Sequence, residues 1–94
     1  MSHRNVQIKS VEEVSKDYLW NFRKLEDWRT PLTELDKKAE SRLDRFIEKE
    51  AHKIKADLAV ITSTNESYIR KPATLDSEVT FYQKRYHSKD QKDC

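Results

Sequence analysis

The sequence contains no glycine. Phosphate-binding loops, dinucleotide fingerprints and nucleophile elbows need glycine wherever the backbone takes a positive φ or approaches a ligand closely. Calcium-binding EF-hand loops need it at their sharp turn. The missing residue type therefore argues against all of these classes. We expect a protein that is not an enzyme and that binds no cofactor.

Cysteine and long apolar runs are also scarce. The one cysteine, Cys94, cannot form an internal disulfide. No apolar run approaches the ~18 residues of a membrane span, and the N-terminal "MSHRNVQIKS" contains no apolar signal segment. We expect no membrane span and a cytoplasmic location, or a periplasmic one if the chain is the mature form of an exported protein. His52 follows Glu48 by one helical turn, but no second histidine or cysteine lies at ligand spacing, so we predict no metal site.

What is abundant is charge of both signs. Charged residues make up 38% of the chain and hydrophobic residues 35%, yet the net charge is only +2. A chain of this length forms one domain and buries roughly 60–65% of its unfolded surface. We therefore expect a thin core that self-association completes. The predicted divisions are a flexible N-terminus at 1–9, a single domain at 10–87 and a disordered tail at 88–94.

The N-terminal third can be interpreted as helix or strand. Ser10 and Glu13 have the spacing of a capping box, and apolar residues follow at steps of three and four. This pattern predicts a short helix from about Val11 to about Leu19, with an extended piece somewhere in residues 20–28. The alternation of aromatic residues from Tyr18 to Phe22 favours a strand instead. Residues 18–28 therefore stay open between helix and strand.

A second apolar stripe predicts a long helix over residues 31–56. Thr30 before Pro31 is typical of an N-cap followed by proline at the first helical position. The stripe needs a partner surface, and Phe46 is expected at its centre. Its members are Leu32, Leu35, Ala39, Leu43, Phe46, Ile47 and Ile54.

Two strands are predicted to provide that surface. In "ADLAVITST" (56–64), Leu58 and Val60 share one face while Ala59 and Ile61 share the other. In "SEVTFYQKRYH" (77–87), apolar side chains again alternate with polar ones. The predicted fold is α+β: a small three-stranded sheet, antiparallel or mixed, packed against the one long helix, with a short N-terminal helix.

Three motifs in this order resemble the YdgH/BhsA/McbA-like family of small proteins. They are "KKAE" at 37–40, "KADLAVITS" at 55–63 and "VTFYQK" at 79–84, and the resemblance covers roughly residues 30–86. It implies a dodecin-like β-α-β-β fold and a role in envelope stress or biofilm formation. Lys55 stands where the family places glycine, and a left-handed helix cap there costs ~1 kcal/mol.

Two groups of residues are candidate binding sites. Trp20, Phe22 and Trp28 lie close together in sequence, either as a partner-binding anchor or as core residues that close over the helix. Both interpretations hold if the core closes only in an oligomer. The C-terminal strand places aromatic residues among cations, as single-strand nucleic-acid sites do, or as a protected edge strand does. The nucleic-acid candidates are Lys84, Arg85, Tyr82 and Tyr86.

The leading hypothesis is therefore a non-enzymatic interaction or stress-adaptor protein that acts through self-association or a protein partner. The alternative is a small regulatory protein that binds single-stranded nucleic acid through the C-terminal strand.

Overall fold

The computed structural model describes residues 6–85, which form a small α+β fold dominated by strands. The elements are β1 (Gln7–Ser10), a 3₁₀ turn (Val11–Glu13), α1 (Lys16–Leu19), β2 (Phe22–Arg29), β3 (Thr33–Glu34), α2 (Ala39–Ile54), β4 (Leu58–Ser67) and β5 (Thr74–Lys84). The first strand includes residues 7–9, which the sequence analysis assigns to a flexible N-terminus. The tail predicted at 88–94 lies outside the described residues.

The sheet has five strands, so the prediction of a three-stranded sheet is wrong. The strand order is β1-β4-β5-β2, and β3 pairs with β5 beyond the end of β2. β1 runs parallel to β4, and all the other pairs are antiparallel. The β4–β5 hairpin forms its centre, as the two predicted strands indicated. The additional strands come from the segments before the long helix.

A bulge explains why β2 was hard to predict. The pairing with β5 shifts register between Lys24 and Glu26. An extra residue on one strand of a pair moves the following side chains to the other face. The half-buried residues Phe22, Leu25 and Trp28 therefore recur every three positions, a spacing that imitates a helix. The predicted helix over 11–19 is replaced by the 3₁₀ turn and the single turn α1.

The long helix begins eight residues later than predicted, at Ala39 rather than at residue 31. Thr30 is not an N-cap, because it continues the sheet: its N–H donates to the Ser77 carbonyl and its Oγ1 accepts from the Ser77 N–H, both at 2.9 Å. Leu32 is 67% exposed and does not belong to the apolar stripe. Tertiary hydrogen bonds to β5 outweigh the local helix signal here.

Helix α2 packs on one face of the sheet through small and aliphatic residues at steps of four. These are Ala39, Leu43, Ile47 and Ala51. Phe46 is only half-buried at the side of this contact, so its predicted central position is wrong. The helix ends at Ile54 and is capped by Lys55, whose φ of 63° and ψ of 40° lie in the left-handed region that glycine adopts more easily.

The opposite face of the sheet is covered at one end only. β1 and β2 lie at opposite edges, so the connection over residues 11–21 has to cross the sheet. The Tyr18 hydroxyl donates to Gln7 Oε1 at 2.7 Å, which places the crossing over the face of Gln7. Gln7 pairs with Leu58, and both Leu58 and Val60 are buried on this face. Within residues 6–85, no helix has the length and hydropathy of a membrane span.

Candidate functional site

The three aromatic residues proposed as a partner-binding anchor do not form one surface. Trp20 follows α1 and is 72% exposed, with the Arg85 guanidinium 5.6 Å from its ring centre. Phe22 packs on the Tyr18 ring, at 5.3 Å between centroids. Trp28 packs on the buried Phe81, at 5.6 Å.

The sheet register explains this separation. Phe22 pairs with Lys84 and Trp28 pairs with Val79. Those two β5 residues are an odd number of positions apart, so their side chains point to opposite faces of the sheet. Trp28 therefore lies on the helix side, in the core, and Phe22 lies on the other side. Of the three, only Trp20 is well exposed.

The predicted nucleic-acid residues lie at the end of β5, and the structure places only part of the set. Lys84 and Arg85 line a shallow depression together with Arg23 and Gln83. Arg23 donates to Gln83 Oε1 at 2.8 Å, and Arg85 Nε donates to the Phe22 carbonyl at 3.1 Å. Tyr82 is half-buried and pairs with Leu58 on the face away from α2. Tyr86 lies outside the described residues.

An open strand edge lies at the other end of the sheet. β1 pairs with β4 only from Leu58 to Ile61, after which the chain leaves the sheet as the 3₁₀ turn. β5 pairs with the other side of β4 as far as Ser67. Among residues 6–85, no strand pairs with the outer side of β4 over residues 62–67. In an antiparallel ladder, alternate residues direct their N–H and C=O groups to that outer side.

A cleft of about 470 Å³ runs beside this open edge, between β4 and the first half of α2. Its floor is apolar and is formed by Leu35, Ala39, Leu43, Ile61 and Leu75. Its polar side chains include Asp36, Lys37, Glu40, Asp44, Thr64 and Glu66. Strand edge and cleft therefore form one continuous feature, called here the edge cleft.

The wall on the helix side is held by Arg42. Its Nε donates to Thr33 Oγ1 at 2.6 Å, and one of its terminal nitrogens donates to the Glu34 carbonyl and to Asp36 Oδ1, both at 2.8 Å. These bonds fix α2 to β3 and neutralise Asp36. The N–H of Lys38 and the Arg42 cation lower the pKa of Asp36 below its ordinary value.

The remaining carboxylates of the edge cleft have no such partner. Glu40, Asp44 and Glu66 form no ion pair within the part of the chain that the structure describes. Partial burial and the neighbouring charges of Glu40 and Glu48 raise the pKa of Asp44. Glu66 accepts a hydrogen bond of 2.7 Å from the Tyr68 hydroxyl. The edge cleft thus has a net negative charge.

The edge cleft was not predicted from the sequence, although its acidic residues have a recognisable spacing. Glu40 and Asp44 of the cleft are four residues apart on α2. Like charges at this spacing destabilise a helix. Carboxylates that destabilise the helix they lie on are therefore the sequence signal for this acidic cleft.

On the sheet face away from α2, polar side chains of β2 and β5 form hydrogen bonds with one another. The buried Asp76 carboxylate accepts from Arg29 Nε at 2.6 Å, and Thr80 donates to Asp27 at 2.7 Å. Residues 6–85 contain no group of three or more His, Cys, Asp or Glu side chains placed to hold a metal ion.

Comparison of the chain with protein-family models, with curated proteins and with solved structures finds no match. The resemblance to the YdgH/BhsA/McbA-like family stays a prediction, and function is argued from the geometry.

Proposed function

We propose that this protein is a non-enzymatic interaction module that binds an extended segment of a protein partner as an added strand on β4. The observation that carries the proposal is the early end of β1, which leaves the outer side of β4 unpaired over residues 62–67 in the described chain. Strand addition uses main-chain hydrogen bonds for affinity and adjacent pockets for selectivity. The edge cleft supplies both.

The added strand would lie beside β4 in line with β1. Alternate side chains of a strand point to the same face of a sheet. On the helix side, β4 presents Thr64 and Glu66, which pair with Ser77 and Leu75 of β5. Every second side chain of the partner would therefore enter the cleft between β4 and α2. The other side chains of the partner would point to the sheet face away from α2.

Backbone pairing is tested with a heptapeptide in which threonine alternates with lysine or arginine. Its titration into the ¹⁵N-labelled protein should shift amide resonances of residues 62–67 and leave those of β2 unchanged. A peptide of the same sequence with N-methyl groups at alternate positions cannot pair through those positions and should cause no such shifts. Equal shifts with both peptides, or shifts confined to β2, would contradict strand addition on β4.

A second candidate function is binding of single-stranded nucleic acid at the opposite end of the sheet. The observation that favours it is the exposed Trp20 ring under Arg85, next to Arg23 and Lys84. A stacking ring among cations is typical of such sites. Within residues 6–85 these three cations form no ion pair with a carboxylate.

Titration with single-stranded DNA or RNA at low salt separates the two functions. Nucleic-acid binding should weaken with salt with a log–log slope near −0.7 per phosphate contact. Replacing Lys84 and Arg85 together should reduce that slope by more than about one unit. We expect no saturable binding, because a net charge of +2 is small for holding a polyanion. A saturable isotherm that the double substitution abolishes would favour the second candidate.

Self-association and a role in stress or biofilm formation stay predictions. The first rested partly on three clustered aromatic residues, which the structure separates, and the second rests on the family resemblance. Light scattering at ~100 µM, where weak pairing is detectable, tests the first. A monomer mass there would contradict it.

A further inference from the structure

We infer that the segment which the edge cleft accepts is basic, with lysine or arginine at the alternate positions that face α2. This inference rests on the proposed strand addition to β4 and specifies its partner. The open edge provides the docking surface, and the chemistry of the cleft beside it selects the occupant.

The charge of the edge cleft favours a basic occupant. The cleft is lined by four carboxylates and one ammonium group, that of Lys37. Arg42 neutralises Asp36, at 2.8 Å between Arg42 nitrogen and Asp36 oxygen. Glu40, Asp44 and Glu66 retain uncompensated charge on the two walls of the cleft. An extended segment carrying cations would provide the missing counter-charge.

The apolar floor of the edge cleft also favours lysine or arginine side chains. Lysine and arginine have apolar stems that pack on apolar surface while their charged ends reach the rim. Leu35 and Ile61 are only half-buried in the cleft floor, so they leave apolar surface exposed beside the carboxylates. A short acidic or amide side chain would leave this apolar floor uncovered.

The same charges argue against a second copy of this chain as the occupant. Pairing two β4 edges about a two-fold axis would place both clefts side by side on one face of the joined sheet. Their carboxylates would then repel one another, and like charges on neighbouring strands are destabilising. The charge equally disfavours nucleic acid and anionic lipid at this edge.

Three heptapeptides test the inference. In each, threonine alternates with a second residue: lysine or arginine in the basic peptide, glutamine in the neutral one and glutamate in the acidic one. Amide shifts of residues 62–67 report the affinity at low salt. The basic peptide should bind about tenfold more tightly than the neutral peptide, since each exposed ion pair adds a modest amount. The acidic peptide should bind more weakly than the neutral one.

Charge reversal in the cleft gives a matched protein variant. The double substitution Glu40→Lys with Asp44→Lys should reverse the peptide preference, so that the acidic peptide binds more tightly than the basic one. Glu48→Lys reverses one charge on the same helix, outside the cleft lining, and should keep the basic preference. Thermal melts of all variants confirm that they are folded.

The outcomes separate the inference from the proposed function. Equal affinity of the three peptides, or loss of the basic preference in Glu48→Lys as well, would overturn the basic preference and leave strand addition intact. No shift at residues 62–67 with any peptide would overturn both.

Discussion

Two edges of this sheet, that of β2 and that of β4 over residues 62–67, differ in how they are protected. The outer edge of β2 has a bulge and five charged residues within Phe22–Arg29. The outer side of β4 over residues 62–67 also begins with a bulge, between Ile61 and Ser63, but it has one charged residue, Glu66, and its pairing with β5 is regular from Ser63 to Ser67. Bulges and charges are how natural sheets prevent unwanted edge pairing. The β4 edge over residues 62–67 therefore has fewer protecting charges than the β2 edge.

The charges of β2 are also used internally. Lys24 pairs with Asp27 at 3.0 Å, and Arg29 pairs with the buried Asp76 at 2.6 Å. In the edge cleft, partial burial and the neighbouring charges of Glu40 and Glu48 instead raise the pKa of Asp44. One edge uses its charges for stability and the other holds them at a cost to stability. Four predictions follow from the charges and packing of these regions, in order of decreasing effect.

Replacing a phenylalanine should lower the unfolding free energy more in the core around Trp28 than beside the edge cleft. Phe81 is fully buried beside Trp28, beneath β2, so Phe81→Ala should cost ~3–5 kcal/mol of unfolding free energy. That loss could unfold a domain this small. Phe46 is half-buried near the cleft, and Phe46→Ala should cost clearly less. Urea unfolding measures both, and equal losses would contradict the assignment of Phe81 to the main core.

Arg29→Ala should destabilise the β2 side by ~1.5–3 kcal/mol. The substitution leaves the Asp76 carboxylate buried without its cation, although Arg29 itself is 63% exposed. Lys24→Ala is the matched control, because its pair with Asp27 is exposed on both sides and should matter little. Both are measured by urea unfolding. If the two variants have the same stability, the β2 edge is not anchored through Asp76.

Lys55→Gly should stabilise the junction between α2 and β4 by about 1 kcal/mol. Glycine takes left-handed backbone angles without the steric penalty that a β-carbon brings. The carbonyl of Lys55 accepts from Gln83 Nε2 at 3.2 Å, and glycine keeps this bond. Lys53→Gly, in the last turn of the helix, should instead lose about 1 kcal/mol. A lower melting temperature for Lys55→Gly would contradict the left-handed cap.

Asp44→Asn should give the smallest gain, and the gain should depend on pH. The pKa of Asp44 is raised above its ordinary value of 3.8, so the folded protein binds this proton more tightly than the unfolded chain does. The penalty of the charged form is present above the folded pKa and disappears as the pH falls towards 3.8. The charged groups nearby are Glu40 and Glu48 on the same helix and, across or beside it in the cleft, Glu66, Asp36 and Lys37.

The variant should therefore be more stable than the parent at pH 7 and equal to it near pH 3. Urea unfolding at both pH values measures this difference. Glu50→Gln, on the same helix but outside the cleft lining, is the control and should show no such pH-dependent gain. A gain of equal size at the two pH values would exclude the titration of Asp44 as its cause.

The central part of the fold could be predicted because its signals are local and agree with one another. Alternation in "ADLAVITST" and "SEVTFYQKRYH" predicted β4 and β5, and the structure confirms the alternation from Leu58 to Ile61. The apolar stripe predicted a helix over residues 31–56, of which α2 forms Ala39–Ile54. An extended piece was predicted within residues 20–28, but the choice between helix and strand stayed open there because the bulge in β2 produces a helical spacing. Residues 31–38 are not helical as predicted, because β5 provides hydrogen bonds to β3 within them.

The sequence predicted the alternation of Leu58–Ile61 and the helix that includes Ala39–Ile54, since side-chain period is a property of neighbouring residues. Which surfaces stay open depends on the tertiary structure. The length of β1 against β4 leaves an edge unpaired, and the bulge in β2 separates Phe22 from Trp28. The packing of α2 brings Asp44 and Glu66 to one cleft although they are far apart in sequence. Register and packing join residues distant along the chain, and no local pattern specifies them.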